Sequence, residues 1–374
     1  MPLPLSPDPM VTVLRPTDRH VRRVQTPAPQ TGNDVEEMLR LVLDGGEATS
    51  RSLGPGYQRL WSSLTAATDG GKRFRPALFV VGYLAWGGND DRSAAAVGAA
   101  IELLHTAFVV HDDVIDGDHT RRGRPNVSGA SAELARAHGV PAARTTEYGA
   151  AAGILAGDLA LAAALRTLAT CPAPRPTVRR LLDLFDAVLH ATAAGELADV
   201  WASLGAEQQT VEEALLMAER KTAEYSFALP LQAAAVLAGA PGRVVEAAGD
   251  VGRALGTAYQ LVDDLQGAFG DPRVTGKSSL SDLRSGKQTP LVAHARTTDA
   301  WPAIAPYVGL ATITESEADV ARGLLTASGS REAVERLAGE YVDRALALAQ
   351  ETRMPSALVA WITGMTTDIL GSAA

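Results

Sequence analysis

From Ser93 to Val110 the chain reads SAAAVGAAIELLHTAFVV, with Glu102 as its one carboxylate and no lysine or arginine. Continued to Asp116, this stretch predicts a helix that is apolar on most faces, and such a helix must be enclosed by others. Residues 211–238, though they carry more charges, are also read as a long helix that is apolar on most faces. Two helices of this kind act as the central members of a bundle. Ala, Leu, Glu and Arg dominate nearly every other segment, and no stretch sustains apolar–polar alternation, so the expected fold is all-α. Helices are expected at 34–43, 56–68, 76–86, 93–116, 148–169, 177–201, 211–238, 244–266, 288–296, 315–327, 331–350 and 355–370. Gly87-Gly88-Asn89, Pro172-Ala173-Pro174 and Gly239-Ala240-Pro241-Gly242 punctuate them. No linker divides the body, which is read as a single domain over residues 34–374. Residues 1–33 are rich in Pro, Arg and Thr and lack the apolar block of a secretory signal, so they are read as a flexible tail. Asp8 and Asp18 make a cleaved targeting peptide the weaker reading there.

Composition excludes several function classes. A net charge of −9 argues against a basic nucleic-acid footprint. A single cysteine, Cys171, rules out an internal disulfide and any multi-cysteine zinc site, and fits a reducing cytoplasm. No uninterrupted apolar run reaches membrane-spanning length; the nearest, residues 148–165, carries Asp158 in its middle.

Chemistry concentrates where the first central helix ends, in FVVHDDVIDGDHTRRGRP, residues 108–125. Asp112 and Asp116 are four apart and share a helix face, with Asp113 about 100° round. Carboxylates at a helix C-terminus meet the negative end of the macrodipole and repel one another. A hard divalent cation relieves both problems, because Mg²⁺ takes one or two carboxylates and completes its shell with water and substrate phosphates. Arg121, Arg122 and Arg124 follow at once, and guanidinium forks suit phosphate oxygens. Taken alone, the pattern is equally compatible with a solvated acidic helix end beside a basic loop. A second acidic pair, Asp263-Asp264, tips another apolar helix and is followed by Asp271. Lys277 and Lys287 come after it, and Gly70-Gly71-Lys72-Arg73-Phe74-Arg75-Pro76 puts three cations before a helix start. Their joint appearance in an acidic chain points to metal-bridged recognition of a polyphosphate.

The ordered set of these motifs resembles the all-trans isoprenyl (polyprenyl) diphosphate synthase family, most like a bacterial geranylgeranyl diphosphate synthase. The likeness covers roughly residues 35–370. It runs through Gly71 to Pro76; His105; Asp112 to Asp116 with Arg121-Arg122-Gly123; Gly157-Asp158; Gly195-Glu196 with Asp199; Lys221-Thr222; Gln260 with Asp263-Asp264; and Gly276-Lys277 through Asp282-Leu283 to Gly286-Lys287. The resemblance implies a bundle of long helices around a central deep cavity, and a homodimer. It implies that Asp112 and Asp116 bind Mg²⁺ from one side and Asp263 from the other, three ions per site, around the diphosphate of an allylic substrate. Arg121, Lys221, Lys277 and Lys287 would hold diphosphate. Lys72, Arg75, His105 and Arg122 would bind isopentenyl diphosphate, and Thr222 and Gln260 would turn oxygen dipoles to the allylic cation. The implied chemistry is ionisation of the allylic diphosphate, attack by the isopentenyl double bond, and proton loss to the departing pyrophosphate. No nucleophilic side chain is required.

One departure stands out. Gly267 occupies the place of the family's third aspartate in the second motif, and Asp271 is the candidate to compensate. In the family, bulky residues four and five positions before the first aspartate floor the pocket. Here they are Phe108 and Ala107, one bulky and one small, which implies a twenty-carbon geranylgeranyl product over a fifteen-carbon farnesyl one. Phe108 as ordinary core is the competing reading. A terpene cyclase would use a different second metal motif, whose only near-match, Asn89-Asp90 with Ser93, lies upstream and ends at Val97. A non-catalytic partner subunit would tend to lose the first aspartate motif, which is whole here.

Overall fold

The computed structural model describes residues 30–205, 207–270 and 281–371. The expected tail lies outside the described residues up to position 29. The described chain is all-α, apart from one two-stranded hairpin. Its helices are α1 (Gln30–Ser50), α2 (Pro55–Thr68), α3 (Phe74–Ala85), α4 (Asp91–Ile115), α5 (Val127–Ala137), α6 (Ala142–Ala169) and α7 (Arg175–Ser203), then α8 (Val211–Ala218). A π-helical segment, Glu219–Ala228, runs on without a break into α9 (Leu229–Leu237), and α10 (Gly242–Phe269) follows. Short helices Ser281–Ser285, Pro290–Arg296 and Trp301–Ile304 precede three longer ones, Glu315–Ala327, Ser330–Glu351 and Ser356–Gly371.

Helix α4 begins at Asp90, whose side chain accepts from the Ser93 amide at 3.1 Å. Every residue from Ser93 to Leu104 is buried, as expected for an all-round apolar helix. The helix packs against α6, α1 and α3. One apolar cluster runs from Val35 in α1 through Leu103, Phe185, Phe227 and Leu255 to Ile369 in the last helix. By length and composition α4 and α6 are both apolar enough to cross a membrane, which the expectation of no such span did not allow for. The two differ in burial: 83% of the apolar window of α4 is enclosed against 39% for α6.

Helix α5 was not foreseen. Its signal is Asn126, whose side chain accepts from the Gly129 amide at 2.8 Å. The arginines just before it disguise that cap as part of a basic loop. The hairpin pairs Thr120–Arg121 with Arg124–Pro125, and its turn residues Arg122 and Gly123 both take positive φ, 52° and 72°. That is the twist-matched form of a two-residue hairpin turn.

The π-helical segment is gripped on two sides. A Cβ on Gly195 of α7 would fall 2.5 Å from the Lys221 amide nitrogen. Cβ atoms on Gly252 and Gly256 of α10 would each fall 2.4 Å from Ala228 and Ala223 atoms. Three glycines therefore bring two helices down onto the backbone of this one segment. A π turn widens the helix locally and re-aims its side chains; this one carries Lys221, Thr222, Tyr225 and Ser226.

Candidate active site

The first wall of the site forms where α4, α7 and the π-helical segment meet. Asp112, Asp116 and Glu196 present carboxylate oxygens that all lie within 4.8 Å of one another. The α4 pair is there because four residues make one turn, and Glu196 arrives from α7. Lys221 stands among them, its Nζ 3.3 Å from Asp112, 3.1 Å from Glu196 and 2.6 Å from Asp199. Burial would lower the Lys221 pKa, but Asp199, Asp112 and Glu196 together raise it, so the ammonium is fixed. Arg121 reaches back from the hairpin and donates to Asp113 at 2.7–2.8 Å and to Asp112 at 3.3 Å. Asp113 is buried, so it serves to anchor that guanidinium. Burial, with the Asp112 charge added, pushes the Asp116 carboxyl up to about 6. Burial also raises Glu196, against the pull of Lys221. Negative charge is thus in surplus, and the donor set is all hard oxygen. That set fits a divalent cation of the Mg²⁺ class.

The second wall is the end of α10. Asp263 and Asp264 are consecutive, so they diverge around the helix. Asp264 turns inward, accepting from Gln260 Nε2 at 2.9 Å and pairing with Lys287 Nζ at 3.4 Å. Burial pushes its carboxyl up to about 6 against the pull of Lys287. Asp264 in turn raises Lys287, and the field of Asp199 from the first wall also reaches that ammonium. Acids of α7 and α10 therefore act on one ammonium. With its amide nitrogen committed to Asp264, Gln260 keeps its amide oxygen as an acceptor.

A third group lies one to two helical turns before Asp112 on α4. Arg75 donates to Ser226 Oγ at 2.8 and 3.1 Å and to Tyr225 Oη at 3.2 Å, with its guanidinium 4.9 Å over the Tyr225 ring. His105 stacks on that ring at 5.9 Å, and Phe108 meets it edge-on at 5.0 Å. His105 Nδ1 is buried with no hydrogen-bond partner. Burial, then the charges of Arg75 and Arg121, hold the ring well below its usual pKa, so it is a neutral imidazole. A buried, unsatisfied ring nitrogen beside a guanidinium is a ready partner for a phosphate oxygen.

Sequence reasoning and geometry part at several positions. Arg73, the one cation of the loop at residues 70–76 given no site role, takes a left-handed backbone, φ 48°, and pairs with Glu36 and with buried Glu102 at 2.8 Å. Lys72 is exposed on the same loop, and Arg122 donates to the Gly70 carbonyl, tying hairpin to loop. Thr222 is half-buried on the π-helical segment. Ala107 is fully buried among Trp61, Leu64, Val110 and Ala156, on the side of α4 away from Tyr225. Gly157 leaves room for His111, whose ring reaches Asp158 at 3.4 Å. Asp271, Gly276 and Lys277 lie outside the described residues. Glu196, Asp199, Tyr225 and Ser226 joined the site without having been named as site residues. Glu196 and Asp199 are three apart on α7, a same-face pair that spacing alone could have flagged.

The sequence profile of the Polyprenyl synthetase family matches residues 58–314. A geranylgeranyl diphosphate synthase of Mycobacterium tuberculosis is 35% identical over 311 residues, 80% of this chain and 82% of that one. A (2E,6E)-farnesyl diphosphate synthase of Mycobacterium bovis is 34% identical, over 76% of this chain and 75% of that one. The fold superposes with a TM-score of 0.84 on a geranylgeranyl pyrophosphate synthase from Corynebacterium glutamicum complexed with isoprenyl diphosphate and magnesium. That structure is 29% identical and the match covers 91% of this chain and 98% of that one.

Proposed function

Because this chain belongs to the polyprenyl synthetase family and is a prenyltransferase, we propose that it condenses isopentenyl diphosphate with allylic diphosphates, head to tail and in trans, to geranylgeranyl diphosphate. The observation that carries this reading is the convergence of Asp112, Asp116 and Glu196 within 4.8 Å, with Lys221 and Arg121 seated on the same carboxylates. Such a wall can share divalent cations and diphosphate oxygens between acids and bases.

In this reading Asp112, Asp116 and Glu196 hold Mg²⁺ on one wall and Asp263 on the other, three ions per site. Bound there, Mg²⁺ supplies the positive charge that stabilises the departing pyrophosphate. Lys221, Arg121 and Lys287, with Lys277, take diphosphate oxygens of the allylic substrate. Arg75 and the neutral His105, with Lys72 and Arg122, take the diphosphate of isopentenyl diphosphate. Gln260 and Thr222 face the forming cation with oxygen dipoles, in surroundings that exclude water and so strengthen each of these interactions. The proton lost after carbon–carbon bond formation goes to pyrophosphate, which needs no side-chain base.

Phe108, edge-on to Tyr225 below Asp112, is the proposed floor of the prenyl channel. Ala107 faces the packed side of α4, which weakens a role for it. The exposed apolar residues Tyr148, Ile154 and Leu155 of α6, and Leu197, Trp201 and Leu204 at the end of α7, support a homodimer that covers them. Cys171, a free buried cysteine, agrees with a cytoplasmic setting. A fifteen-carbon product is the second reading, favoured by the farnesyl diphosphate synthase relative and by the bulk of Phe108. Purified protein incubated with Mg²⁺, isopentenyl diphosphate and each allylic starter should yield a twenty-carbon product by chromatography. Arrest at fifteen carbons favours the second reading, and absence of any elongation removes both.

A further inference from the structure

Between Ser93 and Val110 the apolar helix α4 carries a single carboxylate, Glu102, and that carboxylate is buried. A buried charge is costly unless it is paired and hydrogen-bonded. Its partner is Arg73, whose Nη1 donates to Glu102 Oε1 at 2.8 Å and to the Thr68 carbonyl at 2.7 Å. The other edge of the same guanidinium forks onto the Glu36 carboxylate of α1, at 2.5 and 3.2 Å. One side chain thus joins α1, the end of α2 and the middle of α4.

The cations flanking Arg73 go elsewhere. Arg75 turns to Ser226 and Tyr225 of the π-helical segment, and Lys72 stays exposed. Arg73 itself takes φ 48°, a left-handed backbone that a residue with a Cβ adopts at a cost. On α4, Glu102 and His105 are three apart and are neighbours on the helix surface. The Arg73–Glu102 bond therefore fixes the loop that carries Lys72 and leads into Arg75 against the helix that carries His105. A buried ion pair adds little net stability over a well-packed apolar pair, and its best-attested use is to set register.

We propose that Arg73, held by Glu102 and braced by Glu36, is a positioning residue for isopentenyl diphosphate. It sets Lys72 and Arg75 at the right distance from His105 and touches no substrate itself. The inference rests on the assignment of Lys72, Arg75 and His105 to that diphosphate. It gives a reason both for a carboxylate inside an apolar helix and for an arginine in left-handed backbone between two substrate-binding cations.

The test is steady-state kinetics with each substrate varied in turn, run beside thermal melts. Arg73→Met combined with Glu102→Met replaces the buried pair by apolar side chains, an exchange that is often neutral for stability. The double variant should therefore melt close to the parent. Its KM for isopentenyl diphosphate should nonetheless rise about ten-fold or more, the scale on which small misplacements of binding groups are felt. Its kcat and its KM for the allylic substrate should stay within about two-fold of the parent. Glu102→Gln is the smaller change that serves if the double variant folds poorly, and it should raise the same KM by about three-fold or more. A folded double variant with the parent's KM for isopentenyl diphosphate makes the pair structural only and overturns the proposal. An equal rise for both substrates is general loosening and overturns it too. An unchanged KM for isopentenyl diphosphate in Arg75→Ala would instead remove the site assignment on which the proposal rests.

Discussion

The two walls are built to one plan with different sequence spacing. Each begins with adjacent aspartates at the end of an apolar helix, Asp112-Asp113 on α4 and Asp263-Asp264 on α10. In each the second aspartate is buried and spent on a cation, Asp113 on Arg121 and Asp264 on Lys287. One turn before the leading aspartate stands an aromatic ring resting on the π-helical segment: Phe108 on Tyr225 at 5.0 Å, and Tyr259 on Phe227 at 5.5 Å. What differs is the next turn. After Asp112 the same face offers Asp116, whereas after Asp263 it offers Gly267. The first wall completes its acids with Glu196 of α7. Adjacent aspartates thus divide labour, because a 100° step sends one to the cleft and the other to the core, while a four-residue step keeps both in the cleft.

The sharpest break of that comparison is to remove each member of each pair. Asp112→Ala and Asp263→Ala should each lower turnover by on the order of a thousand-fold, with the fold intact, as removal of a key transition-state electrostatic group does. Asp113→Asn and Asp264→Asn should instead cost about 2 kcal/mol of stability, as loss of a charge-assisted hydrogen bond to a buried group does. Their turnover should stay far closer to the parent. Single-turnover rates with thermal melts measure both; equal kinetic losses within a pair would erase the division of labour.

A site off both walls serves as the contrast. Lys72→Ala and Arg75→Ala should raise the KM for isopentenyl diphosphate by about ten-fold or more, at about 1.5–3 kcal/mol per lost charged bond. The KM for the allylic substrate should move less. If only the allylic KM rises, the assignment of the two diphosphates is reversed.

The first wall can also be read by pH. The Asp116 carboxyl, pushed up to about 6 from an ordinary 3.8, binds its proton more tightly folded than unfolded. Its contribution to metal-free stability is therefore present below pH 3.8 and lost as pH rises through about 6. Cation binding displaces that proton, so the melting-temperature gain from MgCl₂ should be smaller at pH 5 than at pH 7.5. Asp116→Asn should flatten this pH dependence, and a gain equal at both pH values in the parent would separate Asp116 from the cation.

The smallest change is expected at the ring below Asp112. Phe108→Ala should lengthen the product by about one five-carbon unit at near-normal turnover, because volume is freed below the ionisation site. Ala107→Phe should overpack the α2–α4–α6 core at a cost of about 1–3 kcal/mol without capping the channel. Product chromatography on the two variants decides between them.

The α4 aspartates were legible because a helix that long and apolar has one register, and four-residue spacing is then geometry. The all-α class was legible from the same apolar, strand-free patterning. Glu196 and Asp199 were quoted within the resemblance but not assigned to the metal, since nothing on α7 itself says which helix end it will face. The pairing of Arg73 was not legible, because a cation in a glycine-rich loop looks the same whether it will meet phosphate or a buried Glu102. The π turn has no residue pattern to announce it. Gly195, Gly252 and Gly256 pack closely against it, a tertiary fact, and Tyr225 and Ser226 stand on it.

That clamp has a consequence for repeated turnover. Each round of elongation returns a tail five carbons longer to the same head group. Lys221, Thr222 and Tyr225 stand on a stretch whose backbone has glycine contacts on two sides and no slack into which to retreat. If Phe108 floors the channel as proposed, a longer tail would not push the ionising end out of alignment: growth would be absorbed at the far end, and the first addition and the last would meet the same chemistry.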